Sequence, residues 1–120
     1  MDALIAELRS GKRLGPGRTL RGATLIDRDL SGVNLAAGDL SRANLTKVNL
    51  IGARLEGGVL FAAALDHAEL LLANFCGVDL TQASARGTGF GGADLEGANF
   101  LTATLRPSGQ CPLFYRHRPF

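Results

Sequence analysis

Hydrophobic residues recur at every fifth position along most of this chain. From residue 20 to residue 105, the eighteen positions at this spacing hold fourteen leucines, three phenylalanines and one alanine, Ala85. A second series lies two residues earlier in each repeat, from 23 to 103, and consists mainly of alanine, valine and glycine. Its only large polar member is Arg28. Two of every five side chains therefore form a continuous apolar set.

A spacing of five fits neither regular secondary structure. In an α-helix, successive leucines would be displaced by about 140° and would cover every face. In a flat strand, an odd spacing sends successive side chains to opposite faces. The chain must therefore bend once per repeat, which predicts a solenoid. Eight glycines between Gly22 and Gly97 share the phase two residues after the leucine, where a corner favours a permissive backbone.

The repeat unit itself resembles that of a known family. The segments Ala43-Asn44-Leu45-Thr46, Ala93-Asp94-Leu95-Glu96-Gly97 and Ala98-Asn99-Phe100-Leu101 are similar to the A-[DN]-[LF]-x-x unit of the pentapeptide-repeat family. This resemblance implies an all-β fold, a right-handed quadrilateral β-helix with four repeats per coil. Both apolar positions of each repeat would point inward, and eighteen repeats would form about 4.5 coils.

Three segments follow from this pattern. Residues 2–10 carry a helical pattern, so we expect an N-terminal helical cap within 1–17. The β-helix is predicted over 18–107. The segment 108–120 follows a break in the repeat at Pro107 and contains Phe114 and Tyr115. It is expected either to fold over the last coil as a second cap or to dock into a partner.

Large apolar residues also occur at positions predicted to face outward. Phe61, Leu71 and Leu72 all fall within the third coil. A cluster of exposed apolar side chains often marks an interface, so these residues are candidates for a lateral or homodimer contact. The alternative is local packing against the segment 108–120 or the N-terminal helix. Phe114 and Tyr115 complete the set of candidate protein-contact residues.

Candidate catalytic chemistry is sparse. Cys76 and His67 lack an orienting third group, and the segment Gly87 to Gly92 lacks the lysine of a phosphate-binding loop. Two cysteines are too few for a zinc site. The Asp and Asn residues that precede the central leucine are expected to hydrogen-bond nearby backbone rather than a ligand. The sequence thus predicts no enzyme, cofactor or metal.

Charge narrows the function further. The chain of 120 residues has a net charge of +2, divided between −4 over 29–105 and +3 in each flanking segment. The leading hypothesis is a non-enzymatic protein-binding or scaffold module, whose partner is not identified by the sequence. The family resemblance also implies an alternative, a DNA mimic that modulates gyrase or another topoisomerase and confers resistance to topoisomerase poisons. A third hypothesis is a self-assembling structural element.

The same charges argue against direct nucleic-acid binding, and they weaken the DNA-mimic alternative. The predicted β-helix is about 22 Å long, and a duplex segment of that length carries roughly 13 negative charges, whereas residues 29–105 carry a net charge of −4. Neither a signal peptide nor a membrane-spanning stretch is recognisable in the sequence, so a cytoplasmic location without membrane contact is expected.

Overall fold

The computed structural model describes residues 2–12, 14 and 19–107. It contains a helix, α1 (Asp2–Arg9), and two short parallel strands, β1 (Ser84–Thr88) and β2 (Thr104–Pro107). The remaining described chain winds as a series of turns joined by isolated parallel bridges. Of the described helical segments, none has the length and apolarity that a bilayer crossing requires.

The bridges establish a register of twenty residues. Thr24 pairs with Asn44, Asn44 pairs with Ala64, and Ala64 pairs with Ser84. The strands β1 and β2 continue this register until it shifts between Arg86 and Thr88. Each coil therefore consists of four five-residue sides. Side one is centred on Leu20, Leu40, Leu60, Leu80 and Phe100; side two on Leu25, Leu45, Leu65, Ala85 and Leu105; side three on Leu30, Leu50, Leu70 and Phe90; side four on Leu35, Leu55, Phe75 and Leu95.

The interior follows the predicted phases. The central leucines and phenylalanines whose burial is described are at most 3% exposed. The small residues two positions earlier, such as Val48 and Ala53, are buried beside them. Arg28, the one large polar residue of the inward series, is exposed in the first coil. The inward orientation of the two apolar series is therefore confirmed.

The corners share one backbone conformation. Every fifth residue from 22 to 102 has a positive φ, and eight of these seventeen residues are glycine. The predicted role of the glycine phase is thus confirmed. The other nine corners hold residues with side chains, and Leu72 is the largest apolar one. A left-handed conformation costs an L-residue roughly 1–2 kcal/mol, so these corners must be maintained by the rest of the coil.

Nine Asp and Asn residues that directly precede a central residue stabilise the following turn. The side-chain oxygen of Asn49 accepts a hydrogen bond from the backbone N–H of Ile51 at 3.0 Å. The same contact to the residue two positions later is made by Asp29, Asn34, Asp39, Asn44, Asn74, Asp79, Asp94 and Asn99. The prediction of local backbone bonding is therefore confirmed for these residues.

Helix α1 contacts the first coil. Leu8 is 1% exposed within the apolar core, and Leu4 and Ile5 pack partly buried against it. The guanidinium of Arg9 donates to the carbonyl oxygen of Asp29 at 3.0 Å and lies 3.1 Å from its carboxylate. The helix begins at Asp2 and ends at Arg9, within the segment 2–10 that carries the helical pattern.

Candidate protein-contact surface

Leu71 and Leu72 lie at the corner where side three ends. Leu71 is 41% exposed and Leu72 is 65% exposed, although both belong to the same repeat as the fully buried Leu70. Backbone hydrogen bonds hold both residues in register with the neighbouring coils. The N–H of Gly52 donates to the carbonyl oxygen of Leu71, and the N–H of Leu72 donates to the carbonyl oxygen of Gly91. We call Leu71, Leu72 and the partly buried Ile51, which lies one coil above Leu71, the Leu71–Leu72 surface.

Three glycines lie beside the leucine pair in the neighbouring coils. Gly52 lies one coil above Leu72, and Gly91 and Gly92 lie one coil below the leucine pair. The Cδ2 atom of Leu72 lies 2.8 Å from the position that a Cβ atom would take on Gly92. Leu72 therefore rests on bare backbone on one flank while most of its side chain faces solvent.

Leu72 occupies its corner at a conformational cost. Its φ is +60°, in the region where glycine is favoured and an L-side chain is strained. Glycine holds the equivalent position of side three in the coil above and in the coil below, at Gly52 and Gly92. A large apolar side chain is thus present at a corner whose backbone conformation favours glycine.

Two further side chains of the third coil lean over glycines of the fourth. A Cβ atom on Gly87 would lie 2.7 Å from the Nδ1 atom of His67, and one on Gly89 would lie 2.8 Å from a carboxylate oxygen of Glu69. Thr88, between these glycines, is buried and donates its hydroxyl to the carbonyl oxygen of Leu65 at 2.9 Å. The glycine-rich segment 87–92 therefore accommodates the side chains of the coil above it.

The structure separates Phe61 from the leucine pair. Phe61 belongs to side one and Leu71 to side three, half a coil apart, so they lie on opposite sides of the β-helix. The guanidinium carbon of Arg42 lies 5.3 Å from the centre of the Phe61 ring, and Phe61 is only partly exposed. Phe61 therefore has an intramolecular cation–π contact and does not extend the Leu71–Leu72 surface. Phe114 and Tyr115, the other two predicted contact residues, lie outside the described residues.

The flanking sides are acidic. Within the described residues, sides three and four carry five acidic and two basic side chains, a net charge of −3. Sides one and two carry four acidic and five basic residues, a net charge of +1. Glu69 lies two residues before Leu71, and Asp94 lies on the next side, paired with Asn74. The two sides that meet at the leucine pair therefore carry a net negative charge.

A carboxylate on side two joins two neighbouring coils. The Asp66 carboxylate accepts hydrogen bonds from the hydroxyl of Ser84 at 2.7 Å and from the backbone N–H of Arg86 at 2.9 Å. Partial burial raises the pKa of Asp66, but the hydrogen bonds from Arg86 and Ser84 and the nearby positive charges outweigh it, so the pKa lies below its ordinary value. This carboxylate links the third coil to the fourth, a role that the sequence pattern does not indicate.

Cys76 and His67 are not brought together, because Cys76 belongs to side four and His67 to side two. Burial and the neighbouring carboxylate of Asp94 raise the pKa of the Cys76 thiol, which keeps it protonated at neutral pH and weakens it as a nucleophile. Across residues 2–12, 14 and 19–107, no three His, Cys, Asp or Glu side chains are grouped closely enough to hold a metal ion.

Comparison with known proteins agrees with this architecture. The family described as Pentapeptide repeats matches the chain in eight copies, over residues 20–60 and 65–101. The match covers more than half of the sequence, and the structure has a register of four five-residue turns. The protein is thus a right-handed β-helix, and the chain belongs to the pentapeptide-repeat family.

Two solved structures illustrate the relationship. A pentapeptide repeat protein, Rfr23, from the cyanobacterium Cyanothece 51142 is 31% identical, with a TM-score of 0.68 over 69% of this chain and 56% of its own. QnrB1, a plasmid-mediated fluoroquinolone resistance protein, is 19% identical, with a TM-score of 0.60 over 76% of this chain and 52% of its own. This chain thus spans little more than half of either relative. The comparison with curated proteins gave no match.

Proposed function

We propose that this protein is a non-enzymatic protein-binding module and that the Leu71–Leu72 surface is its contact site. The single observation that carries the proposal is Leu72, which is 65% exposed at a corner with a φ of +60°. The fold gains little from a leucine there, because glycine satisfies the equivalent corners at 52 and 92. Burial against another molecule accounts for a leucine at this corner.

The size of the surface limits the affinity that it supplies. Complete burial of a leucine side chain contributes about 1.5–3 kcal/mol, and roughly half of each side chain remains available in this pair. The pair therefore contributes about 2 kcal/mol to binding, a factor of about 30 in the dissociation constant. Polar and charged contacts must supply the rest, and the acidic flanks favour a partner with basic residues around an apolar centre.

The β-helix supports this surface as a rigid scaffold. In this proposal it has about 4.5 coils, and α1 caps its first coil by covering the core with Leu8. Each coil hydrogen-bonds the next, so a side chain at a corner has a fixed position relative to those above and below. Such a scaffold presents its contact residues without ordering a loop on binding, which lowers the entropic cost of association.

The alternative of a DNA-mimicking topoisomerase modulator has less support. The similarity to QnrB1, at 19% identity, concerns the fold alone. A mimic requires a dense acidic face, whereas sides one and two carry both signs of charge. A supercoiling assay with purified gyrase distinguishes the two hypotheses, and the protein-binding proposal predicts no inhibition.

The proposal is tested by capture and titration of a partner. The full chain and the double variant Leu71→Ser/Leu72→Ser are immobilised, and each captured protein is identified, purified and titrated. The double variant should bind about 30-fold more weakly. Leu101→Ser is the matched control, because Leu101 is 57% exposed on side one. A partner that binds the double variant as tightly as the native chain would contradict the assignment of the surface.

A further inference from the structure

We propose that residues 108–120 of this chain dock onto the Leu71–Leu72 surface. The inference rests on the proposed contact site and names a segment of the same chain that occupies it. It depends on three properties, which are the composition of the segment, the charge of the surface and the length of chain between them.

The first property is the chemistry of the segment. Residues 113–118 read Leu-Phe-Tyr-Arg-His-Arg, three consecutive apolar or aromatic residues followed by two arginines around a histidine. The segment 108–120 contains no acidic residue. It therefore combines an apolar centre with basic residues, which are the features that the Leu71–Leu72 surface favours.

The second property is the charge of the β-helix. The segment has the opposite sign to sides three and four, whose described residues carry a net charge of −3, while sides one and two carry +1. Glu69 precedes the leucine pair, and among the described residues no basic side chain forms an ion pair with its carboxylate. Electrostatic attraction therefore directs Arg116 and Arg118 to the sides that flank Leu72.

The third property is reach. Pro107 pairs with Thr88, so the described chain ends where side three begins, two coils below the corner that precedes Glu69. To reach Leu72, the chain must cross one five-residue side of at most about 16 Å and rise by about 10 Å. The direct path is about 19 Å, and the six residues from Pro107 to Leu113 span about 20 Å when extended. Leu113 to Tyr115 can therefore contact the leucine pair of their own chain.

Tyr115 provides a direct probe of docking. It is the only tyrosine of the chain, and there is no tryptophan, so intrinsic fluorescence reports on this segment alone. Acrylamide quenching is measured on the full native chain and on a synthetic peptide of residues 108–120 as the undocked reference. Docking predicts weaker quenching in the native chain than in the peptide. Equal quenching in the two samples would overturn the proposal.

Variants locate the docking site. Leu71→Ser/Leu72→Ser should weaken docking by about 30-fold and raise quenching toward the peptide value, whereas Leu101→Ser should leave quenching unchanged. Arg116→Ala/Arg118→Ala should also raise quenching, and this variant leaves the β-helix intact should the double serine variant fail to fold. If Leu101→Ser raises quenching and the double serine variant does not, the segment lies elsewhere and the inference is wrong.

Dilution separates docking within one chain from docking between two. Protection of Tyr115 should stay constant on dilution, because the segment reaches its own surface. Protection that disappears on dilution would assign the segment to a second copy and overturn the proposal as stated. Partner titration distinguishes the two proposals. If a partner binds the native chain but not the double serine variant, the contact site is supported. That result holds even if Tyr115 is fully quenched, which overturns only the docking of residues 108–120.

Discussion

Two consecutive turns of side three use their outward positions in opposite ways. The repeat 68–72 carries Glu69, Leu71 and Leu72, whereas the repeat 88–92, one coil below, places only glycine at the equivalent positions. Both repeats bury a large central residue, Leu70 in one and Phe90 in the other. The comparison shows that the inward positions are fixed by the fold, while outward bulk can be concentrated on one turn when the next turn leaves space for it.

The largest expected effect separates the inward from the outward positions of the first of these turns. Leu70→Ala removes a fully buried side chain and should lower the free energy of unfolding by about 2–5 kcal/mol. Leu71→Ala, one residue later, removes a side chain that is 41% exposed and should cost less than about 1 kcal/mol. Chemical denaturation measures both values. Equal losses would show that the assigned register is wrong.

The next effect tests the space that the second turn leaves. Gly92→Ala places a Cβ atom 2.8 Å from Leu72 at a φ of +68°, and it should cost up to about 2 kcal/mol. Gly52→Ala is the matched control, because its φ is +69° and no atom lies within 4 Å of the added Cβ. It should cost about 1 kcal/mol from the backbone alone.

Combining Gly92→Ala with Leu72→Gly isolates the contact between the two turns. Removing the Leu72 side chain should return the cost of Gly92→Ala to that of Gly52→Ala, since the two positions then differ only slightly in φ. The same denaturation series gives the coupling energy. A coupling energy of zero would show that Leu72 does not rest on Gly92.

The smallest effect concerns the link from Asp66 to the fourth coil. Because the pKa of Asp66 is lowered in the folded chain, its ionised form adds stability above the ordinary value of 3.8, and this contribution is lost as the pH falls through the lower folded value. Asp66→Asn should therefore reduce the loss of stability below pH 3.8. Part of the loss should remain, because hydrogen bonds from Ser31 and Ser41 also lower the pKa of Asp29 and Asp39.

Measurement of unfolding free energy as a function of pH checks this prediction. Asn49→Ala is a useful control, because Asn49 stabilises its turn without a titrating group and should lower stability equally at every pH. If Asp66→Asn and the native chain lose stability in parallel on acidification, the carboxylate does not link the coils as described.

The sequence was sufficient to predict the interior but not the surface. The spacing of five determines which side chains point inward, because only a coil that bends once per repeat keeps Leu50 and Leu70 on the same side of the backbone. Asn49 and the equivalent Asp and Asn residues predicted the hydrogen bonds of the turns, because each of these bonds joins residues that are close in the sequence. The predicted grouping of Phe61 with Leu71 was wrong. Ten residues along the chain correspond to half a coil, which places the two residues on opposite sides of the β-helix.

Side-chain contacts between neighbouring coils could not be predicted from the sequence, for a different reason. Each depends on the direction of a long side chain, as in the ring of His67 over Gly87 or the link from Asp66 to Ser84. The same limit applies to Leu14, which lies next to the position that a Cβ atom would occupy on Gly38. The twenty-residue register indicates which residues are neighbours, but not which side chains lean across the gap.

We propose that the Leu72 side chain serves contact with another molecule and contributes little to the fold. The unfolding free energy of Leu72→Gly tests this proposal most directly. The substitution relaxes a strained φ and removes a side chain that is 65% exposed. We expect the free energy to change by less than about 1 kcal/mol, because relief of the left-handed strain in the folded chain offsets the small loss of burial and the greater freedom of glycine in the unfolded chain. A loss of more than about 2 kcal/mol, as for a buried leucine, would show that Leu72 is a structural residue and would contradict the account.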